Sequence, residues 1–142
     1  MARWRGFDNP FGDIWTNLEG IVVKRDAANQ PSNVYTTTNP ENFDDKIDNK
    51  TIAGIEVARD GFIKTFDLNE TAEIIPSDCI GAGETTYKCD HHWCSAGSTD
   101  YRTVRVGGTA GNGGACGFGF FASGDSVGGA NSFIGFRSLI LC

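Results

Sequence analysis

The sequence of 142 residues has no apolar run approaching the roughly 20 residues that a membrane-spanning helix needs. It holds only four prolines, too few for a polyproline or collagen-like chain. Basic residues are also scarce: 12 Lys and Arg stand against 18 Asp and Glu, a formal net charge of −6. A surface of that sign lacks the cationic face that phosphate binding requires, so nucleic acid is not an expected partner. The opening Met1-Ala2-Arg3-Trp4-Arg5 has no apolar stretch behind its charges, so neither a secretory signal nor membrane insertion is expected. No phosphate loop and no His-Glu-x-x-His zinc motif occurs, and no nucleophile elbow is expected. What is present suits one packed domain: hydrophobic residues make up 39% and aromatics 11%, more than a disordered chain carries.

Charge and glycine are unevenly distributed. Residues 38–73 hold nine acidic and four basic side chains, which read as a solvated acidic face. Residues 101–142 hold Arg102, Arg105 and Arg137 against Asp125 alone. Of the 19 glycines, 11 fall between Gly107 and Gly135, interleaved with Phe118, Phe120, Phe121 and Phe133. Large rings between glycines predict ordered loops with aromatics packed beneath them, not a linker.

Local patterns favour strands. Gly20–Lys24, Tyr101–Val106 and Phe133–Leu141 are β-branched or apolar runs, the last apolar on both faces except at Arg137 and Ser138. Thr85–Trp93 alternates, placing Tyr87, Cys89, His91 and Trp93 on one face. Asp60-Gly61 between Ile55–Ala58 and Phe62–Phe66 predicts a hairpin. Asn39-Pro40-Glu41 predicts one short helix start. The fold class expected is α+β and β-rich, in a single domain over residues 1–142.

Cys79, Cys89, Cys94, Cys116 and Cys142 are odd in number and cannot all pair within the chain. Cys89 and Cys116 read as small buried strand residues. Cys89, His91, His92 and Cys94 are the weak candidates for a metal. Strand alternation sends Cys89 and His91 to one face and His92 and Cys94 to the other, so zinc needs distant help from Cys79 or Cys116. A Cys94–histidine nucleophile pair lacks an orienting third group. No metal, cofactor or catalytic residue is assigned.

Asn9-Pro10-Phe11-Gly12-Asp13-Ile14-Trp15, then Arg102–Thr109 with its Gly107-Gly108 turn, then glycine-rich sequence, then Ile134-Gly135-Phe136-Arg137 form an ordered set. This set resembles the C-type lectin fold of the sulfatase-modifying-factor (formylglycine-generating-enzyme-like) family. The opening Arg5–Trp15 and the Tyr87-Lys88-Cys89-Asp90 segment are similar to virion proteins of phages infecting gut Bacteroidales. The resemblance implies a frame built on Trp15, Gly107, Gly108, Gly135 and Arg137, with Arg137 partnered near the Trp15 turn. Oxidising members use a cysteine pair just after the Gly-Gly turn; here Cys116 stands alone, so copper-dependent oxidation is not carried over.

The resulting expectation is a non-enzymatic virion domain that contacts a bacterial surface receptor, glycan or protein, as part of a trimeric homo-oligomer. The alternative is a capsid or tail decoration subunit bound to other virion proteins; a third reading is a formylglycine-generating enzyme. Candidate ligand-binding residues are Trp93, Tyr101, Asn112, Asp125, Ser126 and Asn131, the polar ones presented on a fixed surface by loops held by inward-pointing phenylalanines.

Overall fold

The computed structural model describes residues 3–4, 7–8, 14–69, 73–80, 90–117, 119–129 and 134–135. The strands are β1 (Arg3–Trp4), β2 (Phe7–Asp8), β3 (Trp15–Lys24), β4 (Ser32–Thr36), β5 (Thr51–Glu56), β6 (Gly61–Leu68), β7 (Ile74–Ile80), β8 (His91–Cys94), β9 (Arg102–Val106), β10 (Phe121–Ser123) and β11 (Ile134–Gly135). β1 and β2 form a small antiparallel ladder. The others build one mixed sheet in the order β5-β4-β3-β9-β10-β8-β6-β7, with β11 lying parallel against Trp15 and Thr16 of β3. β10 and β8 are also parallel; the remaining neighbours are antiparallel.

The sheet curls, and the core explains why. Ile21, Val23, Val34, Ile75, Val104 and Phe121 form one buried cluster, although Ile75 comes from one end of the strand order and Val34 from near the other. Each such side chain contributes roughly 1.5–3 kcal/mol on burial, so wrapping all six around one interior is favoured over a flat sheet. The two ends of the order meet directly: Val57 N donates to Pro76 O at 3.1 Å, and Gly54 leaves room for the Ile75 side chain.

β3 is bent by a bulge between Leu18 and Val22. Gly20 occupies it at φ +75°, and a Cβ there would stand 2.6 Å from the Phe43 ring and 2.8 Å from Thr37 O. Only glycine fits both the angle and the space.

Strand alternation assigns the two faces. Val104 points into the curled interior, and its neighbour Arg105 points to the opposite face. That outer face carries Trp15, Asn17, Arg105 and Trp93, and the glycine-rich loops after β9 and β10 fold over it, with Phe120 between them and the sheet. Phe120 and Phe121 are both buried, as the glycine–aromatic interleaving predicts, whereas Phe118 lies outside the described residues.

Three expectations are corrected. β5 and β6 are both strands but do not pair as a hairpin at Asp60-Gly61. Glu56 turns inward, Val57 bonds to β7, and the Asp60 carboxylate accepts from Cys94 N at 2.7 Å, so the connection is held against β7 and β8. The expected helix is a three-residue 3-10 turn, Pro40–Asn42, in which the Asn39 side chain accepts from Glu41 N at 3.1 Å. A second 3-10 stretch, Ala110–Ala115, is broken at Gly113. The described residues include no α-helix, so the class is mostly β with a mixed sheet. Finally, Cys116 is not on a strand; it ends the second 3-10 stretch. Of the strand expected over Phe133–Leu141, only Ile134–Gly135 lies within the described residues, and Tyr87 and Cys89 lie outside them.

Candidate functional site

Segments some ninety residues apart in sequence meet at Trp15. Its indole Nε1 donates to Asn112 Oδ1 at 3.2 Å. The same oxygen accepts from Thr109 N at 2.7 Å and Thr109 Oγ1 at 3.0 Å, closing the loop that follows the Gly107-Gly108 turn. Gly107 and Gly108 sit at φ +87° and +64°, and a Cβ on Gly108 would collide with the Cys116 sulfur. β11 runs along the other side of Trp15. Gly135 is in that strand; Arg137 lies outside the described residues.

Arg105 completes this joint. Its side chain is 1% exposed, and its guanidinium lies 5.4 Å from the centre of the Trp15 ring. Nε donates to Asn17 Oδ1 at 3.0 Å, Nη2 to Gly129 O at 3.3 Å, and Nη1 to the Asp125 carboxylate. Burial pulls the Arg105 pKa below its ordinary value, and the Asp125 charge opposes that shift. Arg105 is thus a buried arginine partnered beside Trp15; the same role expected of Arg137 falls outside the described residues. Nothing in the Arg102–Val106 alternation, which reads as an ordinary strand, marks Arg105 as buried.

These contacts redefine the loop residues. Asn112 and Asp125, expected as ligand contacts displayed by the loops, bond to Trp15 and Arg105 of the frame. Ser126 is exposed, and its carbonyl accepts from Gly129 N at 2.9 Å. Gly128 is exposed with open space where a Cβ would be. Trp93 is half-buried, its ring 3.8 Å from His91 and 5.2 Å from Phe120. Tyr101 is half-buried under Lys24 Nζ, 4.8 Å from its ring centre. Trp93 on β8 and Tyr101 at the start of β9 are separated by β10 and do not form one platform. Asn131 lies outside the described residues.

Gly124-Asp125-Ser126-Val127-Gly128 has the Gly-x-Ser-x-Gly spelling of a nucleophile elbow, which the sequence reading did not expect. The geometry is not that of an elbow. The serine sits on an exposed turn with no helix among the described residues after it, Asp125 is taken by Arg105, and His92 is fully buried elsewhere. Next to this turn is a cleft of about 180 Å³, lined by Leu18, Gly20, Phe43, Asp44, Asp45 and Val127. Leu18 and Phe43 are 38% and 41% exposed, so the cleft mixes apolar side chains with the carboxylates of Asp44 and Asp45. Lys50 holds the Asp44 carboxylate below its usual range from 2.6 Å.

The histidine and cysteine candidates are dispersed. His92 is fully buried; Nδ1 faces Phe121 O at 3.1 Å, and Nε2 faces Val57 O at 3.3 Å and Glu56 Oε1 at 3.5 Å. His91 lies between Phe62 and Trp93, and burial lowers its pKa. No group of three His, Cys, Asp or Glu side chains among the described residues is placed to hold a metal. Burial pushes the Cys94 thiol up to about 12 and the Cys79 thiol up to about 11, and raises Cys116, whose sulfur donates to Gly107 O at 3.4 Å. Folded-state thiol pKa values above the ordinary 9.0 mean that these groups favour folding below pH 9 and lose that contribution as pH rises toward 11–12. Alkylation by iodoacetamide at pH 8, read by peptide mass spectrometry, should therefore leave Cys79 and Cys94 unmodified in the folded chain and modify both in denaturant. Equal labelling in both conditions would contradict this placement.

Glu56 is the buried group that sequence reading missed. It sits in the acidic stretch read as solvated, yet it is 0% exposed. The period-2 pattern of β5 places it inward, on the face of Ser32, its cross-strand neighbour.

Comparison with known protein families, curated proteins and solved structures yields no match.

Proposed function

We propose that the chain is a non-enzymatic, C-type lectin-like domain of a phage virion that contacts a receptor on the bacterial surface, within a trimeric homo-oligomer. The observation that supports this reading is the joint at Trp15, where the start of β3, the loop after the Gly107-Gly108 turn and the β11 strand come together. These are the segments on which the family resemblance rests. The contact surface is the turn bearing Ser126 and Gly128 with the adjoining cleft. Anchored by Arg105 at Asp125 and Gly129, that turn loses little conformational freedom on binding.

A decoration role in the capsid or tail is the second reading. It is supported by Ile52, Ile55, Leu68 and Ile74, which are 40–69% exposed on strands at the two ends of the sheet order and would suit burial against another virion protein. Against the enzymatic reading, the Cys116 sulfur packs under the Gly-Gly turn, a position that braces a loop and does not present a nucleophile. A mass-spectrometric inventory of purified particles from the encoding phage should contain this chain at stoichiometric copy number. Its absence from particles, together with its presence in infected cells, would refute both virion readings.

A further inference from the structure

Arg25, Ser32 and Glu56 are all at least nine-tenths buried, at 3%, 0% and 0% exposure. Arg25 is nearly saturated: Nε donates to Gln30 O at 2.6 Å, and Nη1 donates to Ser95 O at 2.6 Å and Ser98 O at 3.3 Å. Glu56 Oε1 accepts from Ser123 Oγ and faces His92 Nε2 at 3.5 Å. One atom of each residue is left over. Arg25 Nη2, Glu56 Oε2 and Ser32 Oγ are buried without a hydrogen-bond partner among the described residues. Ser32 lies directly across the β4–β5 ladder from Glu56, on the same face, and Arg25 Nη2 is 3.9 Å from Glu56 Oε2.

That separation is too long for a hydrogen bond, and three orphaned polar atoms in one interior carry a large desolvation cost. The charges at the site balance, one guanidinium against one carboxylate. An anion would be repelled by Glu56 and a cation by Arg25, so the occupant that fits is neutral, small, and both a donor and an acceptor. We propose that this is a binding site for a single internal water, which accepts from Arg25 Nη2, donates to Glu56 Oε2 and completes its shell with Ser32 Oγ. Two legs of about 2.8 Å span the gap between nitrogen and oxygen with a bent geometry. Three protein partners is the usual number for a buried water. The water links the β3 end, through Arg25, to β4 and β5, at the place where the curled sheet brings its ends together. This site is independent of the proposed receptor contact and stands or falls separately from it.

A crystal structure of the full chain at about 1.5 Å tests it. The expected result is one spherical density peak within hydrogen-bond distance of Arg25 Nη2, Glu56 Oε2 and Ser32 Oγ, with a B-factor like that of the surrounding side chains. A Ser32→Val crystal should lack the peak, because a methyl group then fills its place. The proposal is overturned if the wild-type site is empty, if Arg25 and Glu56 close to a direct ion pair, or if the peak scatters as an ion. The wild-type structure decides the matter even if the variant does not fold.

Discussion

Replacing Arg105 with alanine is expected to destabilise the fold by about 3–5 kcal/mol, the range for removing one member of a buried charge contact. The guanidinium is bonded to Asn17, Asp125 and Gly129 and fills the space below Trp15, so its loss releases the turn after β10 and opens a cavity on the outer face of the sheet. For a domain of this size the melting temperature should fall by about 10–15 °C. Asp125→Asn keeps an acceptor in place and should cost only about 1–2 kcal/mol, because Asp125 is itself 44% exposed and its loss is eased by solvent. Calorimetry on both variants checks the order. Equal and negligible shifts would mean that the loop is not anchored by this contact.

Glu56→Ala is expected to cost a similar amount, about 3–5 kcal/mol, because Ser123 and His92 lose a buried partner and the Arg25 guanidinium loses its countercharge. Glu56→Gln keeps the shape and should cost about 1 kcal/mol. The two differ further in pH dependence. Desolvation raises the Glu56 pKa above its ordinary 4.5, with His92 and Ser123 opposing the shift. The folded state therefore binds this proton more tightly than the unfolded state does. The contribution of Glu56 to stability is complete below pH 4.5 and is lost as pH rises through the elevated folded value. Wild-type stability relative to Glu56→Gln should accordingly increase as pH is lowered from neutrality toward 4.5, measured by urea midpoints. A difference that stays flat over that interval would place Glu56 in solvent, and one that shrinks would place it in a dominant ion pair.

Some strands were legible in the sequence because β-branched and alternating runs encode local conformation directly, as in Gly20–Lys24, Arg102–Val106 and His91–Trp93. β4, β7 and β10 were not, being short or interrupted by Pro76 and by neighbouring glycines. Nor was the pairing of the strands. Asp60-Gly61 carries the local signature of a hairpin, but partner choice is settled by distant groups: Pro76 O, Cys94 N and the inward pull on Glu56. The acidic run hid Glu56 because composition averages over a window, while burial depends on which side of one strand a residue faces. Trp15, Gly107 and Gly108 read as frame residues from the ordered motifs, but the bond that joins them through Asn112 is not legible there. Arg105 does not stand out, because it lies among residues that read as an ordinary strand; Arg137, which does, lies outside the described residues. Asn112 and Asp125 read as displayed ligand contacts for a related reason: the groups they bond, Trp15 and Arg105, are 97 and 20 residues away in the chain.

The proposed receptor contact is tested most directly by competition for adsorption. Purified chain added to host cells before phage should reduce adsorption in a dose-dependent way. Ser126→Arg and Gly128→Arg, which place bulk on an exposed turn without touching the frame, should keep the wild-type melting temperature and lose that competition. Adsorption unaffected by saturating wild-type chain, or competition undiminished in both variants, would contradict the assignment of this turn as a receptor-binding surface.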